Sequence, residues 1–183
     1  RSTGFFIVEE RNWEKVRWEF GGRYEHASRN PQNITDPSRG FDLFSGSTGA
    51  SWNITHDYHA GVTAIHGQRA PAIEELYVNG LHHGTATFQA GNPALRKEAH
   101  NNVDISLRKS SGFMRWKINA FYNRFDHYIF YKSADTNGDR VADRVNHDGE
   151  FAVDGEFLVQ NLAQTDATFY GAEAEVIFSL KPD

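Results

Sequence analysis

Asp135, Asn137, Asp139 and Asp143 stand at positions 1, 3, 5 and 9 of the stretch Asp135-Thr-Asn-Gly-Asp-Arg-Val-Ala-Asp143. Oxygen side chains at that spacing suit a hard cation such as calcium, with the carbonyl of Val141 at position 7 as a further ligand. Asn146 holds the twelfth place, where an EF-hand carries a bidentate Glu, so Asp148 and Asp154 would have to complete the set. The same residues also spell a turn, because Asp-x-Asn-Gly caps its own backbone. Both readings of 135–146 stand: a loop stiffened by calcium, or a plain acidic turn.

Histidine is the second source of chemistry, with nine in the chain. His82 and His83 are adjacent, so on an extended segment they point to opposite sides. A single metal would need one of them together with a residue from another loop. His66, His100 and His127, near expected strand ends, are the candidate second ligands. His56 and His59 flank a short turn and read as structural. The competing reading is that Gly80-x-His is loop packing alone.

Other chemistries find little support. Cysteine is absent, which excludes disulfides, thiolate metal sites and cysteine nucleophiles. Neither a nucleophile elbow nor His-Glu-x-x-His occurs, Glu74 and Glu75 would diverge on a strand, and the chain reads as a non-enzyme. The net charge of −5 carries no Lys/Arg cluster, so no nucleic-acid partner is expected. The chain carries Asn-x-Ser/Thr acceptor patterns at Asn33 and Asn53, which mean nothing if the source is bacterial.

The elements that would position these residues are strands. In Lys15–Glu25, Val16, Trp18, Phe20, Gly22 and Tyr24 alternate with Lys15, Arg17, Glu19, Gly21, Arg23 and Glu25, giving one apolar-aromatic and one charged face. The period returns in Asn102–Arg108, in Met114–Tyr122 and in Tyr170–Leu180. Weaker strands are expected at Gly4–Glu10, Asp42–Ile54, Tyr58–Gln68 and Phe157–Ala167, about eight in all. Short connections at Arg11–Trp13, Thr55–Asp57 and Ser110–Gly112, the last with Gly112 at positive φ, alternate with long ones at Ala27–Gly40, Arg69–Glu98 and Ser133–Glu156. Pro71–Tyr77 suits one or two helical turns. The expected fold class is all-β, antiparallel and up-and-down, with rims of unequal loop length.

Such alternation fits either a soluble sandwich or an outer-membrane barrel. A barrel explains the aromatic faces and the one-sided long loops together. No apolar run approaches the roughly 20 residues of a membrane helix, and a mean hydropathy of −0.62 is compatible with barrel strands.

The stretch Arg69-Ala-Pro, Glu75-Leu-Tyr, Gly80-x-His, Thr85–Phe88, Gly91-Asn-Pro, Leu95 and Glu98 resembles the barrel of TonB-dependent outer-membrane receptors. Phe121-Tyr-Asn-Arg-Phe-Asp-His-Tyr-Ile, Gln160-Asn161 and Gly171-Ala172-Glu173 resemble further barrel strands of that family, with Ala172 where valine is common. The likeness runs from about Gly4 to Leu180.

The resemblance implies a 22-stranded transmembrane barrel with long extracellular loops, closed by an amino-terminal plug, in the outer membrane of a Gram-negative bacterium. Residues 1–183 are expected to be part of that barrel, cut inside it at both ends, without the plug, the segment that contacts TonB, or the final strands. An open set of strands leaves two unpaired edges, so the piece alone should not insert as a barrel, and should pair its edges with another copy if isolated.

The implied function is energised uptake of a scarce nutrient: a metal ion or metal chelate, with zinc, haem or a siderophore as cargo. Lipid, the TonB complex and a small metal-containing ligand are the implied partners. Arg17, Arg23, Arg115 and Lys117 would line the lumen, and Arg69–Glu98 would gate or bind on the outside. The alternatives are a calcium-stabilised soluble sandwich that binds carbohydrate or protein, and a passive porin.

Overall fold

A two-residue turn at Glu14 and Lys15 joins β1 (Ser2–Trp13) to β2 (Val16–Arg29), and the two strands pair antiparallel from Trp13 and Val16 to Ser2 and Ala27. The computed structural model describes residues 1–31 and 36–180. The pattern at Asn33 and the residues 181–183 lie outside that range. Further along come β3 (Arg39–Asn53), β4 (Tyr58–Arg69), the helix α1 (Ile73–Tyr77), β5 (Asn79–His82), β6 (Thr87–Ala90), β7 (Glu98–Lys109), β8 (Met114–Ser133), β9 (Arg144–Val145) and β10 (Phe157–Phe178).

All strands belong to one sheet in the order β1-β2-β3-β4-β7-β8-β10-β6-β5, with β9 on β10. The seven long strands form an antiparallel meander, while β6 lies parallel to the upper end of β10. The count is therefore seven long strands rather than about eight. Phe157–Ala167 and Tyr170–Leu180, expected as two strands, are one continuous strand. Its ladder with β8 slips once, between Thr165 and Ala167. Opposite the slip, His127 has φ 59° and its backbone N–H donates to Asp166. A bulge of this kind interrupts the period without ending the strand.

Short connections lie at 54–57 and 110–113, within a residue of those expected, and Gly112 has φ +89°. The one expected at Arg11–Trp13 falls instead at Glu14 and Lys15, because Arg11, Asn12 and Trp13 still pair with Trp18, Arg17 and Val16. The connection between β2 and β3 is shorter than Ala27–Gly40, because Ala27, Ser28 and Arg29 continue the ladder against Phe41, Gly40 and Arg39.

Register places the residues of the two faces in rows. Arg17, Ser51, Gly61, Ser106, Asn119 and Glu173 share a concave polar face, lined further by Glu19, Thr63 and Asp104. Trp18, Ala50, Val62, Ile105, Ala120 and Ala172 lie on the opposite face. Two aromatic belts bound the apolar face: Trp18, Trp52, Tyr58, Trp116 and Phe178 near the short turns, and Tyr24, Phe44, Tyr122 and Tyr170 toward the long loops. Eight residues separate Phe44 from Trp52, about 27 Å of strand or about 20 Å of height at the usual barrel tilt, so these two belts span most of the roughly 25 Å of an outer-membrane apolar band. A sandwich needs a second sheet over such a face. Among the described residues there is one sheet, and Phe20, Phe44 and Tyr170 remain exposed.

The buried apolar residues gather at the long-loop end. β4 and β7 stop short there, while β3 and β8 continue past them: Arg39–Ser45 has no partner in β4, and residues beyond Asp126 have none in β7. The 70–97 segment fills that gap. Its Ala70, Leu76 and Leu95 pack with Ala27, Phe41 and Leu43 on one side and with Ile129 and Leu162 on the other.

Candidate functional site

The segment from Arg69 to Glu98 is held by polar contacts that use most of its recognisable residues. Arg69 and Glu98 are opposite one another in the β4–β7 ladder, and Arg69 bonds both Glu98 (3.3 Å) and Glu75 (2.8 Å). Glu75 accepts the backbone N–H of Ala72 and so closes the start of α1. Glu98 accepts the backbone N–H of Ile129 (2.9 Å), an edge amide beyond the reach of β7. Arg29 donates to the carbonyl of Pro71 and Arg39 to that of Pro93, while Tyr77 donates to Pro37. Asn92 turns the chain by accepting from Ala94 N–H and donating to the carbonyl of Leu162. A Cβ on Gly91 would meet the backbone of Leu76 and Tyr77 at 2.7 Å, so only glycine fits there. The base of this segment is a clasp.

The chemistry-bearing tip lies beyond the clasp, in the β5–β6 hairpin. His82 ends β5, with Nδ1 2.9 Å from Thr85 Oγ1. His83 begins a 3-10 turn, and its ring stands 5.5 Å from Phe157 and 6.1 Å from His147. His147 Nε2 is 2.8 Å from Glu156 and its ring is 5.0 Å from that of Phe157. The hairpin and the 134–156 loop meet over a small core of Ala134, Val145, Phe157 and Val159, with Leu81 and Phe88 against it. Thus the second loop that reaches His83 supplies His147, which the sequence reading did not single out. Its link to Glu156, nine residues away, leaves no spacing signature.

The other candidate histidines lie apart from this tip. His66 is on the aromatic face, bonded to Asn101 (2.8 Å) and to Gln68. His100 is on the polar face, stacked on Phe125 at 4.4 Å and bonded to Asn123, which also accepts from Asn102. The Oδ1 of buried Asn102 has no partner. His127 occupies the bulge. At the short-turn rim His56 contacts Asp57, and His59 contacts Asn53 and Ser110.

In the 135–146 stretch the oxygen ligands are turned on the chain itself. Asp135 accepts from Gly138 and Arg140 N–H, Asn137 from Asp139 N–H, Asp139 from Val141 N–H, and Asp143 from Thr136. Gly138 and Arg140 both have positive φ, so the chain reverses tightly between these Asx contacts. Among the described residues no group of three or more His, Asp or Glu side chains is placed to hold a metal.

Arg17, Arg23, Arg115 and Lys117 occupy strand positions of the polar face. Arg17 is paired with Glu10 and Glu19, and Arg23 with Glu25.

The model of the TonB dependent receptor-like β-barrel family matches residues 1–181. The chain belongs to this family. Among solved structures, it resembles the copper transporter OprC at 15% identity, with a TM-score of 0.72 over 98% of this chain and 26% of that one. The haemophore receptor HasR of Serratia marcescens, solved with its haemophore HasA and haem, gives 15% identity and a TM-score of 0.65 over 96% and 31%. The FrpB iron transporter of Neisseria meningitidis gives 13% and 0.64 over 97% and 24%. The chain spans between about a quarter and a third of the length of these proteins. At such identities the likeness carries the fold: the antiparallel wall of a TonB-dependent receptor barrel, polar on its concave face.

Proposed function

We propose that this chain forms part of the barrel of an outer-membrane receptor of a Gram-negative bacterium. The receptor imports a scarce nutrient with energy delivered by TonB through a plug segment, and its cargo is a metal bound in a chelate, haem or a siderophore. The observation that carries this reading is the meeting of His83 with His147 at the outer tip. Among the described residues no third side chain joins these two imidazoles, whereas a bare zinc ion takes four ligands in a closed site or three in an open one. They suit a metal whose coordination is largely filled by its own chelator, with one imidazole as an added axial ligand. The aromatic wall of Phe157 beside both rings suits a flat, apolar macrocycle. Copper, haem and iron in the names of the similar structures support a metal-linked cargo. A plug-free porin would pass solutes without TonB.

The test is haem binding and uptake by the full receptor, followed by the haem absorption band and by growth on haem iron with and without TonB. The double replacement His83→Ala/His147→Ala should weaken haem binding by about tenfold, the loss of roughly one added ligand bond net of its replacement by water, and the single variants show which imidazole supplies it. His82→Ala should have little effect, because its ring is turned to Thr85. Unchanged haem affinity in the His83→Ala/His147→Ala double variant would remove haem as cargo. Uptake independent of TonB would overturn the transport reading itself.

A further inference from the structure

The 134–156 loop carries five Asp and two Glu against two Arg, a net −5. That equals the formal charge of the whole chain, so the remaining residues balance to zero. The acidic groups are spread rather than gathered: Asp135, Asp139, Asp148, Glu150, Asp154 and Glu156 are all exposed. The same loop also exposes its apolar side chains. Val141, Phe151 and Val153 are 67%, 70% and 95% exposed, and together with Ala142 and Ala152 they line one shallow groove. Their neighbour Val145 points the other way, into the core under the loop.

The groove is built on a firm frame. Val145 bridges to Phe151, and backbone bonds run from Ala152 to Arg144, from Asp143 to Ala134 and from Val159 to Asp143. Arg144 is held by the carbonyl of Gly155. A preformed surface spends little ordering entropy when it binds.

We propose that this loop tip docks a basic, amphipathic polypeptide, whose apolar side chains cover Phe151, Val153 and Val141 while its cations face the acidic rim. Several alternatives fit less well. Anionic lipid headgroups would be repelled by the −5 loop. A single small cation would leave the apolar groove uncovered, and the carboxylates nearest the groove, Asp139 and Asp143, already accept backbone and hydroxyl protons. Charges distributed along a rim match a partner with several cations along its length, and such complementarity mainly speeds association and makes it salt-sensitive. The inference is independent of the cargo.

The test uses the purified full receptor in neutral detergent and a fluorescent synthetic peptide of alternating Lys and Leu as probe. The double substitution Phe151→Ser/Val153→Ser should weaken peptide binding by about tenfold or more, the usual weight of aromatic anchors at an interface centre. Asp148→Asn/Asp154→Asn should slow association and flatten its salt dependence. Both variants are checked for folding by heat-modifiable gel mobility. Equal binding of a Lys-Ser peptide, or wild-type affinity in the serine variant, would overturn the proposal and leave only a diffuse acidic field. Failure of Phe151→Cys to react with a maleimide in the intact receptor would overturn it as well, since the groove would then be covered by the receptor itself. Preference for anionic vesicles over the peptide would refute the stated partner chemistry.

Discussion

Glu98 is the residue on which the clasp around the 70–97 segment depends most, and its removal tests the account of that segment. Only 8% of Glu98 is exposed, and one oxygen, Oε2, receives both the Ile129 N–H at 2.9 Å and Arg69 at 3.3 Å. Replacement by Ala strands a buried amide, at a cost of about 1–3 kcal/mol. The Arg69 contact adds little, about 0–1 kcal/mol, because that guanidinium is nearly half exposed and keeps Glu75. The expected loss is about 2–3 kcal/mol, which raises the population of locally open segment by roughly 30- to 150-fold. Glu98→Gln keeps a carbonyl acceptor for Ile129 and should lose about 1 kcal/mol or less. Native-state hydrogen exchange of the full receptor reads this directly at Ile129 and at Leu76, Gly91 and Asn92, whose amides are bonded within the clasp. Protection in Glu98→Ala within about twofold of wild type would refute the reasoning. Equal losses in the Gln and Ala variants would refute the role given to the acceptor and leave charge as the cause.

Two further perturbations address other parts of the chain. Asp57, in the short turn before β4, has its carboxyl held below the usual range by a hydrogen bond from the Ser111 hydroxyl and then by His56. A lowered folded value means the contact stabilises above the ordinary carboxylate pKa of about 3.9 and is lost as pH falls through the lower folded value. Acid-induced loosening of the 54–57 and 110–113 turns should therefore begin only below about pH 4, and Asp57→Asn should remove that dependence when amide exchange at Ser110 is followed against pH. For the 135–146 stretch, EDTA should leave protease cleavage within 134–156 unchanged, because its carboxylates are occupied by the loop's own amides. Calcium-dependent protection would restore the ligand reading.

The strand pattern was legible because a sheet with one lipid face and one wet face writes period two into every strand. Trp18 against Arg17 and Trp116 against Lys117 need no knowledge of their neighbours. The pattern failed where a local irregularity outweighed it. The bulge at His127 shifts the register of β8 against β10 and makes one strand look like two, since the phase of alternation is lost between Thr165 and Ala167.

The site was legible only in part, for a different reason. Arg69, Pro71, Glu75, Gly91, Asn92, Leu95 and Glu98 stand out as a motif, and all of them are spent on holding the segment in the gap above β4 and β7. A recurring spacing of this kind reports a geometry that must be rebuilt each time, which is packing. The residues left for ligand contact carry no spacing rule. His83 meets His147, 64 positions further along the chain, because two separate connections fold over one core of Val145, Phe157 and Val159. Within an extended pair, His82 and His83 are equivalent. Only the 3-10 turn that turns His83 toward Phe157, and leaves His82 with Thr85, separates a candidate ligand from a loop residue.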